Sequence, residues 1–219
     1  MTSTVKAYKG LGMEGPVARW YNRTTRRDLP EVKALAARIA ASVPAASDVL
    51  EIAPGPGFLS IELARRGQNV QAVDISKTFV DIARRNAAAE GVRARFELGN
   101  AAALSLMDAS VDFVVCRAAF KNFSEPVKAL AEMRRVLRPG GTALLIDMRR
   151  DVSIQEIKSY VDHLGVGWLN RLFMMFVFRN TLIKRAYPVN EIRRMAIEAG
   201  WSEPRIEQSP LGFEAWLTK

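Results

Sequence analysis

The residues best placed to do chemistry lie in Val49-Leu-Glu-Ile-Ala-Pro-Gly-Pro-Gly, an apolar run with one acid that enters a loop of two prolines and two glycines just before a helical pattern begins at Phe58. Gly55 and Gly57 give the loop conformations that other residues avoid, so the backbone can turn tightly at a strand end. Strand, glycine turn and helix also serve dinucleotide binding, and two glycines alone do not separate the cases. Pro54 and Pro56 lack an N–H, so the loop offers fewer donors than a pyrophosphate cradle uses. Glu51 would repel a phosphate and suit an ammonium group. The loop therefore asks for a cationic, phosphate-free ligand.

Other candidates are more dispersed. Arg117 could pair with a carboxylate or phosphate, or form a surface ion pair. His163, the only histidine, could serve as a base near neutral pH or be structural. Cys116 is the only cysteine, which excludes an intrachain disulfide and argues against a cysteine-based zinc site; it reads as a small buried strand residue. No metal site is expected.

The chain has 219 residues, 49% hydrophobic and 25% charged, which suits one domain with a sizeable core. Its net charge of +9 is unevenly spread. Met1 to Lys33 carries seven Lys/Arg against three Asp/Glu, Arg149 to Arg194 carries nine against four, and the remainder sums to zero. Such segments are either solvated helix faces or attractors of an anionic substrate, nucleic acid or acidic membrane surface. The first residues lack a signal-peptide core, and no apolar run reaches the roughly 20 residues needed to span a bilayer. A cytoplasmic location is expected.

From Ala34 the pattern alternates. Helical spacing in Glu31–Val43 is followed by a strand at Asp48–Ala53, a helix from Phe58, a strand at Asn69–Ser76, a helix ending near Gly91, strands near Arg93–Gly99 and Ser110–Ala118, a helix from Glu125 and a strand at Thr142–Met148. This rhythm predicts a mostly parallel sheet with helices on both faces and a ligand at the carboxyl ends of the strands. Residues 149–188 then break the pattern with an apolar, Met-rich helical stretch that looks like a cap. Residues 189–219 resume a helix and close with two strands. The division expected is an N-terminal arm (1–33), a core (34–148), the cap and these final core elements.

With these motifs in hand the chain resembles the class I S-adenosylmethionine-dependent methyltransferases, of the small-molecule, methyltransferase type 11-like group. The carriers are Glu51-Ile-Ala-Pro-Gly-Pro-Gly, Ala72-Val-Asp-Ile-Ser, and Arg134-Arg-Val-Leu-Arg-Pro-Gly-Gly, whose Pro-Gly-Gly turn into the fifth strand is the most specific. The resemblance implies a Rossmann-like fold with a seven-stranded, mostly parallel sheet, helices on both faces and an α-helical cap insertion. It implies S-adenosylmethionine as cofactor, with Gly55 and Gly57 making room for its methionine part, Glu51 on the ammonium and Tyr21, from an aromatic arm, reaching the carboxylate. Asp74 would accept from both ribose hydroxyls, Ile75 would cover adenine, and Asn100 with Ala101 would meet the adenine edge. Arg117 completes the expected cofactor contacts.

Ala53 stands where the family has its first glycine. Alanine favours negative φ, and the following proline favours an extended residue, so the turn is expected to depart from the common geometry. Lys121 and Asn122, at the fourth-strand exit, are candidates for the acceptor side alongside His163. Tyr160, Phe173, Phe176 and Tyr187 are candidate substrate contacts in the cap. The reaction expected is methyl transfer to a small, partly apolar, possibly anionic molecule such as a lipid, quinone precursor or natural-product intermediate. RNA or protein methylation, another use of the cofactor, and a non-catalytic cofactor-binding regulator are the alternatives. Oligomeric state stays open.

Overall fold

The computed structural model describes residues 8–9, 12–163, 167–177 and 183–219. Helices α1 (Gly15–Thr24) and α2 (Leu29–Ser42) lead into β1 (Asp48–Ile52), α3 (Phe58–Arg65), β2 (Asn69–Asp74), α4 (Lys77–Ala89), β3 (Ala94–Leu98) and β4 (Val111–Arg117). Then follow α5 (Pro126–Val136), β5 (Leu137–Met148), α6 (Ile154–His163), α7 (Trp168–Val177), the short α8 (Ile183–Arg185), α9 (Val189–Glu198), β6 (Arg205–Gln208) and β7 (Gly212–Thr218).

The seven strands form one sheet in the order β3-β2-β1-β4-β5-β7-β6. The first five are parallel, and β7 runs antiparallel between β5 and β6. The alternation of strand side chains explains the layering. Leu50, Ile52, Val114, Cys116, Ala143 and Leu145 enter one core with α5 and α9. Val49, Phe113, Val115 and Leu144 enter the other with α2 and α3. Cys116 is a buried strand residue, as its neighbours suggested.

The Pro-Gly-Gly segment lies inside β5 rather than before it. Val111 pairs with Leu137 and Phe113 with Thr142, so four residues of β5 (138–141) bulge out against one of β4, Asp112. Gly140 has φ +79°, and a Cβ on Gly141 would lie 2.9 Å from the Asp112 carbonyl oxygen. Both glycines are therefore demanded by the backbone.

The cap packs as a small separate core. Ile157, Val161 and Ile183 meet Leu211 of the β6–β7 connection, with Met148, Met174 and Met175 against them. No helix among the described residues is long and apolar enough to cross a membrane.

Candidate functional site

Strands β1 and β4 are neighbours in the sheet while the chain winds outward from them in opposite directions, and at this switch the carboxyl ends of parallel strands leave a crevice. A cavity of 640 Å³ fills it, walled by the ends of β1, β2 and β4, the loop after β3, and the arm.

Glu51 sits at the end of β1 and is buried. Burial pushes its carboxyl up to about 7, against a lowering by Ser60, whose Oγ donates to it. No ion pair joins it to a lysine or arginine among the described residues, so it is a carboxylate short of countercharge facing a cavity.

The following turn corrects the expectation for Ala53. Ala53 has φ +56°, the left-handed conformation a glycine would take, despite the proline after it. Its N–H donates to the Val73 carbonyl at 2.8 Å, tying the turn to β2. Backbone strain of about 1–2 kcal/mol is thus held by the sheet. Ala118, at the exit of β4, is also left-handed at φ +58°, with its N–H on the Ile146 carbonyl at 2.7 Å.

The two loop glycines have different jobs. Gly55 faces the cavity, and the nearest atom to a Cβ there would be Tyr21 Cε1 at 4.0 Å. Gly57 does not line the cavity; a Cβ there would stand 2.8 Å from Ala83 Cβ and 2.9 Å from Phe96. Gly57 lets α3 close on α4 and β3.

Asp74, buried at the end of β2, accepts from Gly55 N at 3.0 Å and Ser76 N at 2.9 Å. Burial raises its carboxyl above the usual range against these bonds. Each oxygen retains acceptor capacity. Ser76 caps α4, accepting from Phe79 N at 3.1 Å, and donates to the Met13 carbonyl at 2.7 Å. Ile75, Asn100 and Ala101 line the same end of the cavity, and Asn100 Oδ1 accepts from Ala102 N.

Tyr21 packs edge-on to Phe79 at 5.8 Å, its phenol raised by burial and lowered by the charge of Arg117. Arg117 also lowers Glu51 and lies 3.6 Å from the Glu31 carboxylate. Lys121 and Asn122 line the cavity. The Lys121 ammonium donates to Asp147 Oδ1 at 2.7 Å and to the Ala118 carbonyl at 2.9 Å, while Asp147 Oδ2 accepts from Lys121 N. Two of its three protons are engaged inside the protein.

The cap candidates fare differently. Tyr187 lies outside the cavity wall, its ring tilted against Phe120 at 5.9 Å, with its hydroxyl accepting from Lys9 Nζ at 2.6 Å. Tyr160 and Phe176 are exposed and do not line the cavity. The side chains of His163 and Phe173 lie outside the described residues. Tyr8, Met148 and Arg185 also line the cavity, and Arg185 lowers the Tyr8 phenol against burial that raises it. Asp147 was legible as an acid at a strand end; Tyr8 and Arg185 carried no local signal. Among the described residues no group of three or more metal-binding side chains occurs.

Residues 49–141 match a methyltransferase domain family. A demethylmenaquinone methyltransferase of Deinococcus radiodurans is 43% identical over 101 residues, 45% of this chain and 42% of that protein. An uncharacterized methyltransferase, YcgJ, of Bacillus subtilis is 36% identical over 176 residues, 78% of this chain and 64% of that protein. The matched stretch is less than half the length of the demethylmenaquinone methyltransferases it resembles. A solved structure from Methanococcus maripaludis, provisionally described as an S-adenosyl-L-methionine-dependent methyltransferase, shares the fold with TM-score 0.74 and 21% identity, covering 96% of this chain and 95% of that one.

Proposed function

We propose that this chain, whose residues 49–141 match a methyltransferase domain and whose fold is shared with a solved structure described as an S-adenosylmethionine-dependent methyltransferase, is a class I S-adenosylmethionine-dependent methyltransferase that transfers a methyl group to a small, partly apolar, anionic molecule of the quinone-precursor kind. The observation that carries this reading is the pair of buried carboxylates, Glu51 and Asp74, on one mostly apolar cavity of 640 Å³. Relatives named demethylmenaquinone methyltransferase and ubiquinone/menaquinone biosynthesis C-methyltransferase support the acceptor class.

The residues present fit the cofactor. Glu51 lacks a cationic partner and gains one from an ammonium group. Arg117 answers a carboxylate beside it. Asp74 has lone pairs left for a diol, and Ile75, Asn100 and Ala101 offer a flat apolar slot with an amide edge. When bound, S-adenosylmethionine supplies a methyl group on a sulfur already activated by positive charge. The protein's contribution is alignment and exclusion of water, and good alignment alone reaches effective molarities on the order of 10⁵ M.

On the acceptor side, the remaining proton of the Lys121 ammonium and the guanidinium of Arg185 favour an oxyanion at this end of the cavity. An acceptor that enters as a phenolate or enolate needs no general base. Incubation with methyl-labelled cofactor and extracted quinone precursors tests the reading. Label in a small apolar product supports it; label only in RNA or protein contradicts it.

A further inference from the structure

We propose that the arm and the cap together form a surface that docks on an anionic lipid bilayer, with the cavity opening between them. Both elements wall the cavity: Tyr8, Tyr21 and Thr25 come from the arm and Arg185 from the cap. They meet where Lys9 donates to the Tyr187 hydroxyl. Each carries an exposed tryptophan, Trp20 at 63% and Trp168 at 70% exposure.

On α7 the large exposed side chains recur every fourth residue. Trp168, Leu172 (62% exposed) and Phe176 (64%) form one stripe, while Met174 and Met175 turn inward to the cluster that includes the cavity-lining Met148. The described inward side chains of the helix therefore support the cavity wall, and its described outward ones, Trp168, Leu172 and Phe176, are apolar. On α1, Val17 is exposed beside Trp20.

Charge selects the partner. The whole net charge of +9 resides in Met1–Lys33 and Arg149–Arg194, and Arg19, Arg23, Lys158 and Lys184 are exposed in these segments. Tryptophan, leucine and phenylalanine beside exposed cations suit the interface of an anionic bilayer, where the ring and aliphatic groups enter the acyl boundary and the cations meet headgroups. A second copy would bring two basic surfaces together. A nucleic acid would stack on the rings and leave Val17 and Leu172 without partners.

Sedimentation of the full chain with sucrose-loaded vesicles tests the surface without any methyl acceptor, so it does not depend on the proposed reaction. The expected result is binding to phosphatidylcholine vesicles holding about a third phosphatidylglycerol, and much weaker binding to phosphatidylcholine alone. Binding falls between about 0.1 M and about 0.5 M salt. W20S/W168S/L172S weakens partitioning at least about tenfold, and K158E/K184E weakens it about tenfold or more, with unchanged circular dichroism. Should a variant not fold, tryptophan quenching of the unaltered chain by brominated lipid is the second measurement, and quenching is expected. Absence of binding to either vesicle, unaltered binding by the tryptophan variant, a dimer that W20S/W168S/L172S abolishes, or preferential salt-sensitive capture of RNA overturns the proposal.

Discussion

Glu51 carries two properties that pull against each other. Burial raises its carboxyl from the ordinary 4.5 to about 7, so the folded protein holds a proton that the unfolded chain releases. Stability is therefore fully present below pH 4.5, declines between 4.5 and 7, and is level above, a loss on the order of 3 kcal/mol. Glu51→Gln removes that dependence, and thermal melts across this range are expected to diverge in favour of the variant as pH rises. The same substitution lowers affinity for S-adenosylmethionine at least about tenfold at pH 8, because a charge-assisted bond to the ammonium is lost. A variant less stable than the parent at pH 8 would contradict the account. Ala53, strained at φ +56°, gives a second expectation: Ala53→Gly raises stability by up to about 1 kcal/mol in urea unfolding, since relief of strain outweighs the freedom glycine gains when unfolded.

At the scale of elements, the turn between β1 and α3 divides packing from binding. Gly57→Ala forces a Cβ against Ala83 and Phe96 at positive φ, and a loss of roughly 2–4 kcal/mol is expected in denaturant unfolding. Gly55→Ala meets only Tyr21 but places an alanine at φ +54°, so a smaller loss of about 1–2 kcal/mol is expected together with weaker cofactor binding. The exit of β4 is held to β5 by the buried Lys121–Asp147 pair. Asp147→Ala leaves an ammonium buried without its partner and should cost about 3 kcal/mol or more, whereas the double change K121M/D147L costs less. A double-mutant cycle in urea reads this directly, and additive losses would contradict it.

Across the whole molecule, the arm is joined to the core at several points. Ser76 donates to the Met13 carbonyl, Gly15 N donates to Thr78, Asn86 donates to Asn22, and Ala18 packs on Phe79 and Ile82. Alternating strands and helices made the parallel sheet readable in the sequence, because strand and helix periods differ. Glu51 and Asp74 were readable because acids at strand ends are unusual in apolar runs. Tyr8 and Arg185 were not, since one enters through an isolated bridge to Phe123 and the other through a three-residue helix. In α7 the sequence is apolar nearly all round, so only tertiary packing decides that Met174 and Met175 turn inward while Phe176 turns out. The left-handed Ala53 was misread because local preference yielded to the bond from its N–H to β2.

Calorimetric titration of the protein with S-adenosylmethionine at pH values either side of 7, in two buffers of different ionisation enthalpy, tests the central claim most directly. The account predicts affinity that rises with pH through about 7, protons released to the buffer as Glu51 ionises against the ammonium, and loss of both effects in Glu51→Gln. No heat with this cofactor or its demethylated product, or binding with no proton release near pH 7, would contradict it.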